Sequence, residues 1–150
     1  MRVVLDTNVW ISSLIAPTGT PATVLSNLGD HVLIVSEEML EEIQRVLQYD
    51  RIAKRYNLTP EEVGAYVVNI REQVEIISAE LPDSPIVESD PSDDKFLVCA
   101  VKGKADCIVS GDRHLLRLEK YRGIPIVSPA TILAFLESES SQMNGFRSGP

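Results

Sequence analysis

Four acidic positions in this 150-residue chain each stand beside residues that read as buried. Asp6 ends the apolar run Val3–Val4–Leu5 and is followed by the small polar residues Thr7 and Asn8. Asp112 stands just beyond "CIVS", at the end of a second apolar run. Glu42 borders the stripe made by Met39, Ile43 and Val46 on a helical wheel, so its carboxylate can reach inward at the rim of a core. Glu41 points nearly opposite and, with Glu38, reads as solvated surface. The stretch "ESDPSDDKFLVCA" adds Asp90, Asp93 and Asp94. Asp93 precedes Phe96, Leu97 and Ala100 by helical spacings and is placed on the buried side, whereas Asp94 falls off that line. Asp93 is the preferred third acid, with Asp94 the alternative.

Carboxylates that converge on one pocket repel each other unless a proton or a cation neutralises them. Oxygen ligands without a His or Cys cluster suit a hard ion, Mg²⁺ or Mn²⁺. One or two such ions activate a water for attack on phosphorus and stabilise a leaving 3′-oxygen. Phosphodiester hydrolysis is the reaction these residue types permit most directly, since it requires no His or Ser nucleophile. Asn8 and Ser110, and less specifically Thr7, are suited to fixing a carboxylate rotamer or holding a metal-bound water. For either strand-end acid taken alone, Asp6 or Asp112, capping of the following helix is the better explanation. Only the set of four outweighs that reading.

These acids need a scaffold that brings distant segments to one edge. Short β-rich apolar runs alternate with helical patterns, as in an α/β domain built on a parallel sheet. Strands are predicted at Arg2 to Leu5, at "HVLIV", at "VEII", at "DCIVS" and at "GIPIV". Helices are predicted from Asn8 to Ile15, from a Thr20–Pro21 cap to Leu28, and after Ser36, with Met39, Leu40, Ile43, Val46 and Leu47 on one face. Others follow the capping box "TPEE", span about Asp93 to Lys102, begin at Arg113, and follow Ser128–Pro129. Pro82, Pro85 and Pro91 mark an irregular segment. In open sheets of this class, ligands bind outside the carboxyl ends of the strands, which is where Asp6 and Asp112 fall. One domain over residues 1–138 is expected, with a disordered polar tail over 139–150.

The net charge of −8 argues against a general nucleic-acid coat but not against acids concentrated in a metal-filled pocket. Two local basic groups, Arg51/Lys54/Arg55 and Arg113/Arg117/Lys120/Arg122, read first as solvated surface and second as an RNA path. Cys99 and Cys107 lie in apolar runs and read as small core residues without a disulfide. No run approaches the ~20 apolar residues of a membrane span, so the cytoplasm is the expected location. Trp10 reads as core or dimer contact, and His31 and His114 as structural.

"VVLDTNVWISSLI", "EEIQRVL" and "DPSDDKFLVCAVKGKADCIVSGDRHLL" together resemble the PIN domain family, in particular its small prokaryotic VapC-like toxin branch. The resemblance runs from Arg2 to about Leu136. It implies a Rossmann-like three-layer fold with strand order 3-2-1-4-5, Mg²⁺ or Mn²⁺ as cofactor, and endoribonuclease activity. It also implies an antitoxin partner in many relatives, and dimers. Carried over by residue, the ligand and catalytic set is Asp6, Glu42, Asp93 and Asp112, supported by Asn8 and Ser110. Counting back from Asp112 without a gap gives Asp94 instead, and a one-residue difference in the loop at "KGKAD" restores Asp93. A PIN-like binding or regulatory module without turnover is the alternative. A metal-dependent phosphatase ranks lower, because the acid of a DxD motif would stand where Asn8 is.

Overall fold

The structure, a computed structural model, describes residues 1–78, 86 and 91–147. Asp90, Pro82 and Pro85 lie outside the described residues. The chain runs β1 (Arg2–Leu5), α1 (Thr7–Ile15), α2 (Thr20–Asn27), β2 (Val32–Ser36), α3 (Glu37–Leu47), α4 (Asp50–Ala53), α5 (Pro60–Gln73) and β3 (Glu75–Ile77). After a 3-10 turn at Pro91–Asp93 come α6 (Asp94–Lys102), β4 (Cys107–Val109), α7 (Arg113–Leu116), β5 (Lys120–Tyr121), β6 (Ile124–Val127) and α8 (Pro129–Arg147).

The sheet order is β3-β2-β1-β4-β6-β5. All pairs are parallel except β5 with β6. The five predicted strands stand in the predicted 3-2-1-4-5 order, and β5 is an addition at the edge. Its hairpin turns on Arg122 and Gly123, with φ of 48° and 81°. Two consecutive positive φ values match the twist of a two-residue hairpin loop. A two-residue strand is too short to leave an alternation in the sequence.

β1 is central and its Val3, Val4 and Leu5 are buried, as a strand covered on both faces requires. Val3 pairs with Leu33 on one side and with Cys107 on the other, and Leu5 with Val109. The strands β1 and β4 therefore end side by side. Helix α3 buries Met39, Leu40, Ile43 and Leu47 and is capped by Ser36, whose hydroxyl accepts from the Met39 amide at 3.3 Å. Thr59 caps α5 in the same way.

Two helix ends differ from expectation. Gly19, not Thr20, is the N-cap of α2, and Thr20 is its first helical residue. Glycine is also tolerated at that position, and Pro21 then falls in the first turn. Helix α8 continues to Arg147 through residues expected to form a disordered tail. Between Glu137 and Arg147 there is no proline to stop it.

Cys99 and Cys107 are buried, unbonded thiols. Burial pushes their pKa up to about 12 and about 11 respectively, so neither is a thiolate at neutral pH.

Gly103 closes α6 where the helix meets β2. A Cβ there would stand 2.8 Å from Ile34 Cγ2 and 3.0 Å from the Cys99 carbonyl oxygen. Ile34 is fully buried in β2 and has little room to retreat. Gly103→Ala is expected to lower the unfolding free energy by ~1–3 kcal/mol through overpacking. A urea melt measures this, and an unchanged midpoint would mean that the strand gives way.

Candidate active site

The paired ends of β1 and β4 define the site. Asp6 follows β1, and its amide donates to the Val109 carbonyl at 3.0 Å, so the ladder continues one residue past the strand. Its side chain then turns into the start of α1. Oδ1 accepts from the Val9 amide at 2.8 Å, which makes Asp6 the N-cap of α1. Oδ2 accepts from the Ser110 hydroxyl. The same Ser110 oxygen accepts from the Asp112 amide at 3.0 Å. Asp112 in turn caps α7, with Oδ1 accepting from the His114 amide at 2.7 Å. One fully buried hydroxyl thus ties the two acids together.

Asp6 is 2 % exposed. Burial raises its pKa above the ordinary carboxylate value, and the nearby charge of Asp112 adds to the rise. The Ser110 hydroxyl and the Val9 and Gly111 amides oppose the shift without cancelling it. A carboxylate held this way is short of positive charge, a demand that a hard cation satisfies. Asp6 and Asp112 are thus both helix caps, and capping leaves the Asp6 carboxylate buried.

Glu42 is partly buried on α3, which packs against α1 and α6. It meets a cation there already: the Lys95 ammonium pairs with Glu42 Oε2. Lys95 lies on the first turn of α6 and also donates to the Ser92 carbonyl at 2.6 Å. Sequence reasoning missed this lysine. Its signal was a lone basic residue between an acidic run and the apolar "FLVCA".

Asp93 and Asp94 are both buried. The wheel argument separating them does not apply, because Asp93 ends the 3-10 turn and α6 starts at Asp94. Asp94 Oδ2 accepts from the Ile86 amide at 2.8 Å. Asn8 is exposed on the first turn of α1, while its neighbour Thr7 is buried. Trp10 belongs to the core. His31 receives the Met1 amino group on Nδ1 at 2.7 Å, and the His114 amide completes the α7 cap.

Among the described residues, no three His, Cys, Asp or Glu side chains gather closely enough to hold a metal ion. Asp6 and Asp112 come together, and Glu42 is engaged with Lys95. The donor chemistry fits a hard divalent ion at the Asp6–Asp112 pair. A cavity of about 350 Å³ lined by Ser36, Glu37, Glu38, Ile76, Ile77 and Ser78 lies at the ends of β2 and β3, and none of the predicted acids lines it. The basic residues Arg51 and Arg55 lie over the rings of Tyr49 and Tyr56 at 5.7 and 5.5 Å. No helix among the described residues is long and apolar enough to cross a membrane.

A family model described as PIN domain matches residues 2–114, a span that contains Asp6, Glu42, Asp93, Asp94, Ser110 and Asp112. An uncharacterized protein, MJ1680, of Methanocaldococcus jannaschii is 28% identical over 128 residues, covering 79% of this chain and 75% of that protein. Two solved structures share the fold. PAE2754 from Pyrobaculum aerophilum superposes with a TM-score of 0.59 at 14% identity, covering 92% of this chain and 96% of that one. VapBC2 from Rickettsia felis, bound to a DNA fragment from its promoter, gives a TM-score of 0.59 at 12% identity, covering 85% and 98%.

Proposed function

This chain belongs to the PIN domain family, and from that premise we propose that it is a divalent-metal-dependent endoribonuclease. PIN domains are in general nucleases that use divalent ions. The observation that carries the reading is the buried Asp6 carboxylate, tied through Ser110 to Asp112 at the carboxyl edge of the sheet. Asp6, Asp112, Glu42 and one of Asp93 and Asp94 would hold Mg²⁺ or Mn²⁺. A bound ion supplies an activated water and charge stabilisation for hydrolysis of the phosphodiester.

The chain's own residues set the geometry. The Val9 amide and the Ser110 hydroxyl fix both oxygens of Asp6. The His114 amide fixes Asp112. Thr7 and Trp10 are buried at the start of α1, the helix that Asp6 caps. Departure of the 3′-oxygen would leave a 5′-phosphate on the product. RNA is the proposed substrate and the cytoplasm the proposed location. The likeness to the VapBC2 structure supports an antitoxin partner, and dimerisation is proposed with it.

A PIN-like binding module without turnover is the second reading. The engagement of Glu42 by Lys95 is the observation in its favour. Incubation of end-labelled, mixed-sequence single-stranded RNA with Mn²⁺, with Mg²⁺ and with EDTA decides between them. Metal-dependent cutting supports the nuclease. RNA retention without cutting, by folded protein free of a co-purified inhibitor, supports the module. Asp93→Asn and Asp94→Asn, assayed separately, identify the third acid by which of them loses cleavage.

A further inference from the structure

Lys95 is an expensive residue to place where it is. It is 7 % exposed, between Asp94 and Phe96, with its ammonium 5.3 Å from the Phe96 ring centroid. Burying an ammonium costs several kcal/mol unless close partners compensate, and an apolar side chain of similar volume would carry no such penalty. Two partners are present, the Glu42 carboxylate from α3 and the Ser92 carbonyl from the 3-10 turn. The lysine therefore clamps α3 to the start of α6. It does so by engaging one of the acids on which the proposed metal site depends.

A carboxylate oxygen that binds an ammonium cannot at the same time bind a divalent ion at full strength. We infer that Lys95 is a built-in counter-ion of Glu42 that competes with the divalent ion for that carboxylate. The inference rests on the proposed metal site. In the metal-free protein Lys95 neutralises Glu42 and keeps the α3–α6 contact intact. An ion held by Glu42 would take the place of the Lys95 ammonium on that carboxylate, and the lysine stem would have to turn away from it. Lys95 thus lowers the apparent affinity of the site for its ion and is a positioning residue, not a ligand.

The test is a Mn²⁺ titration by isothermal calorimetry at fixed pH and ionic strength, with the parent protein, Lys95→Met, Glu42→Gln and the double variant. Circular dichroism checks that each is folded, and Lys95→Gln replaces Lys95→Met if the latter melts below the assay temperature. Lys95→Met is expected to bind Mn²⁺ roughly tenfold more tightly, which corresponds to 1.4 kcal/mol of relieved competition. Glu42→Gln is expected to bind more weakly, and adding Lys95→Met to it should bring no further gain, because the competed carboxylate is gone. Lys95→Arg, which keeps the charge, should stay near the parent.

Equal or weaker binding by Lys95→Met, alongside a loss in Glu42→Gln, overturns the competition and leaves the metal site standing. A gain that persists in the Glu42→Gln background also overturns it, since the lysine would then act on the site by charge alone. If Glu42→Gln matches the parent, or if the parent binds no Mn²⁺, the metal-site reading fails and the inference falls with it.

Discussion

Asp6→Asn is expected to abolish metal-dependent RNA cleavage while leaving the metal-free protein at least as stable as the parent. The loss of rate should exceed ~100-fold, beyond the 10–100-fold usual for residues that only orient a metal ligand. The fold should survive because Asn keeps both local bonds available. Its carbonyl oxygen can accept from the Val9 amide, as Asp6 Oδ1 does, and its amide can donate to the Ser110 hydroxyl. The cap on α1 is preserved and the buried charge is removed. Cleavage by Asp6→Asn at the parent rate would remove Asp6 from the reaction.

The stability half of this result depends on pH. The Asp6 pKa is raised in the folded state, chiefly by burial and further by the Asp112 charge. The folded protein therefore holds that proton more tightly than the unfolded chain does. Stability contributed by this group is greatest below the unfolded carboxylate pKa, about 4, and declines as pH rises from there to the folded value. Above the folded value the penalty is constant. Asn carries none of it, so in EDTA the melting temperature of Asp6→Asn should exceed that of the parent at neutral pH. The gap should close as the solution is acidified. Saturating Mn²⁺ should reverse the order, because binding to the folded state stabilises only a protein that can hold the ion. A melting temperature in EDTA that falls on substitution would show that the carboxylate stabilises the fold rather than burdens it.

The acids that end strands were legible in the sequence because strand burial and strand ends leave strong marks. Val3, Val4 and Leu5 are followed by a change in polarity at Asp6, and parallel pairing brings Asp112 to the same edge. The amphipathic period of α3 puts Glu42 at the edge of the buried stripe, and in the structure its partly buried side chain pairs with Lys95. The same tool failed at Asp93 and Asp94, where the backbone passes from 3-10 to α geometry and no single wheel applies. The preference for Asn8 over Thr7 rests on side-chain chemistry, which carries no information on burial; in the structure Asn8 is exposed and Thr7 buried. Lys95 was missed for a different reason: it stands out locally between the acids and "FLVCA", but its partner does not. Its burial depends on one long-range partner, Glu42, and no local pattern announces a pair 53 positions apart.

Ser110→Ala should damage both the fold and the reaction, and it separates the tether from the acids it tethers. The Ser110 hydroxyl is fully buried, donates to Asp6 Oδ2 and accepts from the Asp112 amide. Alanine fills most of the same volume but leaves the Asp6 oxygen and the Asp112 amide without that partner. Each stranded group costs ~1–3 kcal/mol where water cannot replace the bond, and the partly exposed Asp112 end should fall at the low limit. Both acids also lose their shared reference point, so Mn²⁺ affinity and cleavage should fall by about 10–100-fold, the range for residues that orient metal ligands. Asp6→Asn should lose more activity and Ser110→Ala more stability. That crossing pattern is what a tether predicts and a ligand does not. The Ser110 bond is also the largest influence holding the Asp6 pKa down. Its removal should raise that pKa further, so a proton competes with the ion over a wider range. The acidic limb of the pH–rate profile should move to higher pH in Ser110→Ala. An unmoved limb with an unchanged melting temperature would show that the two acids are positioned independently, by the Val9 and His114 amides alone.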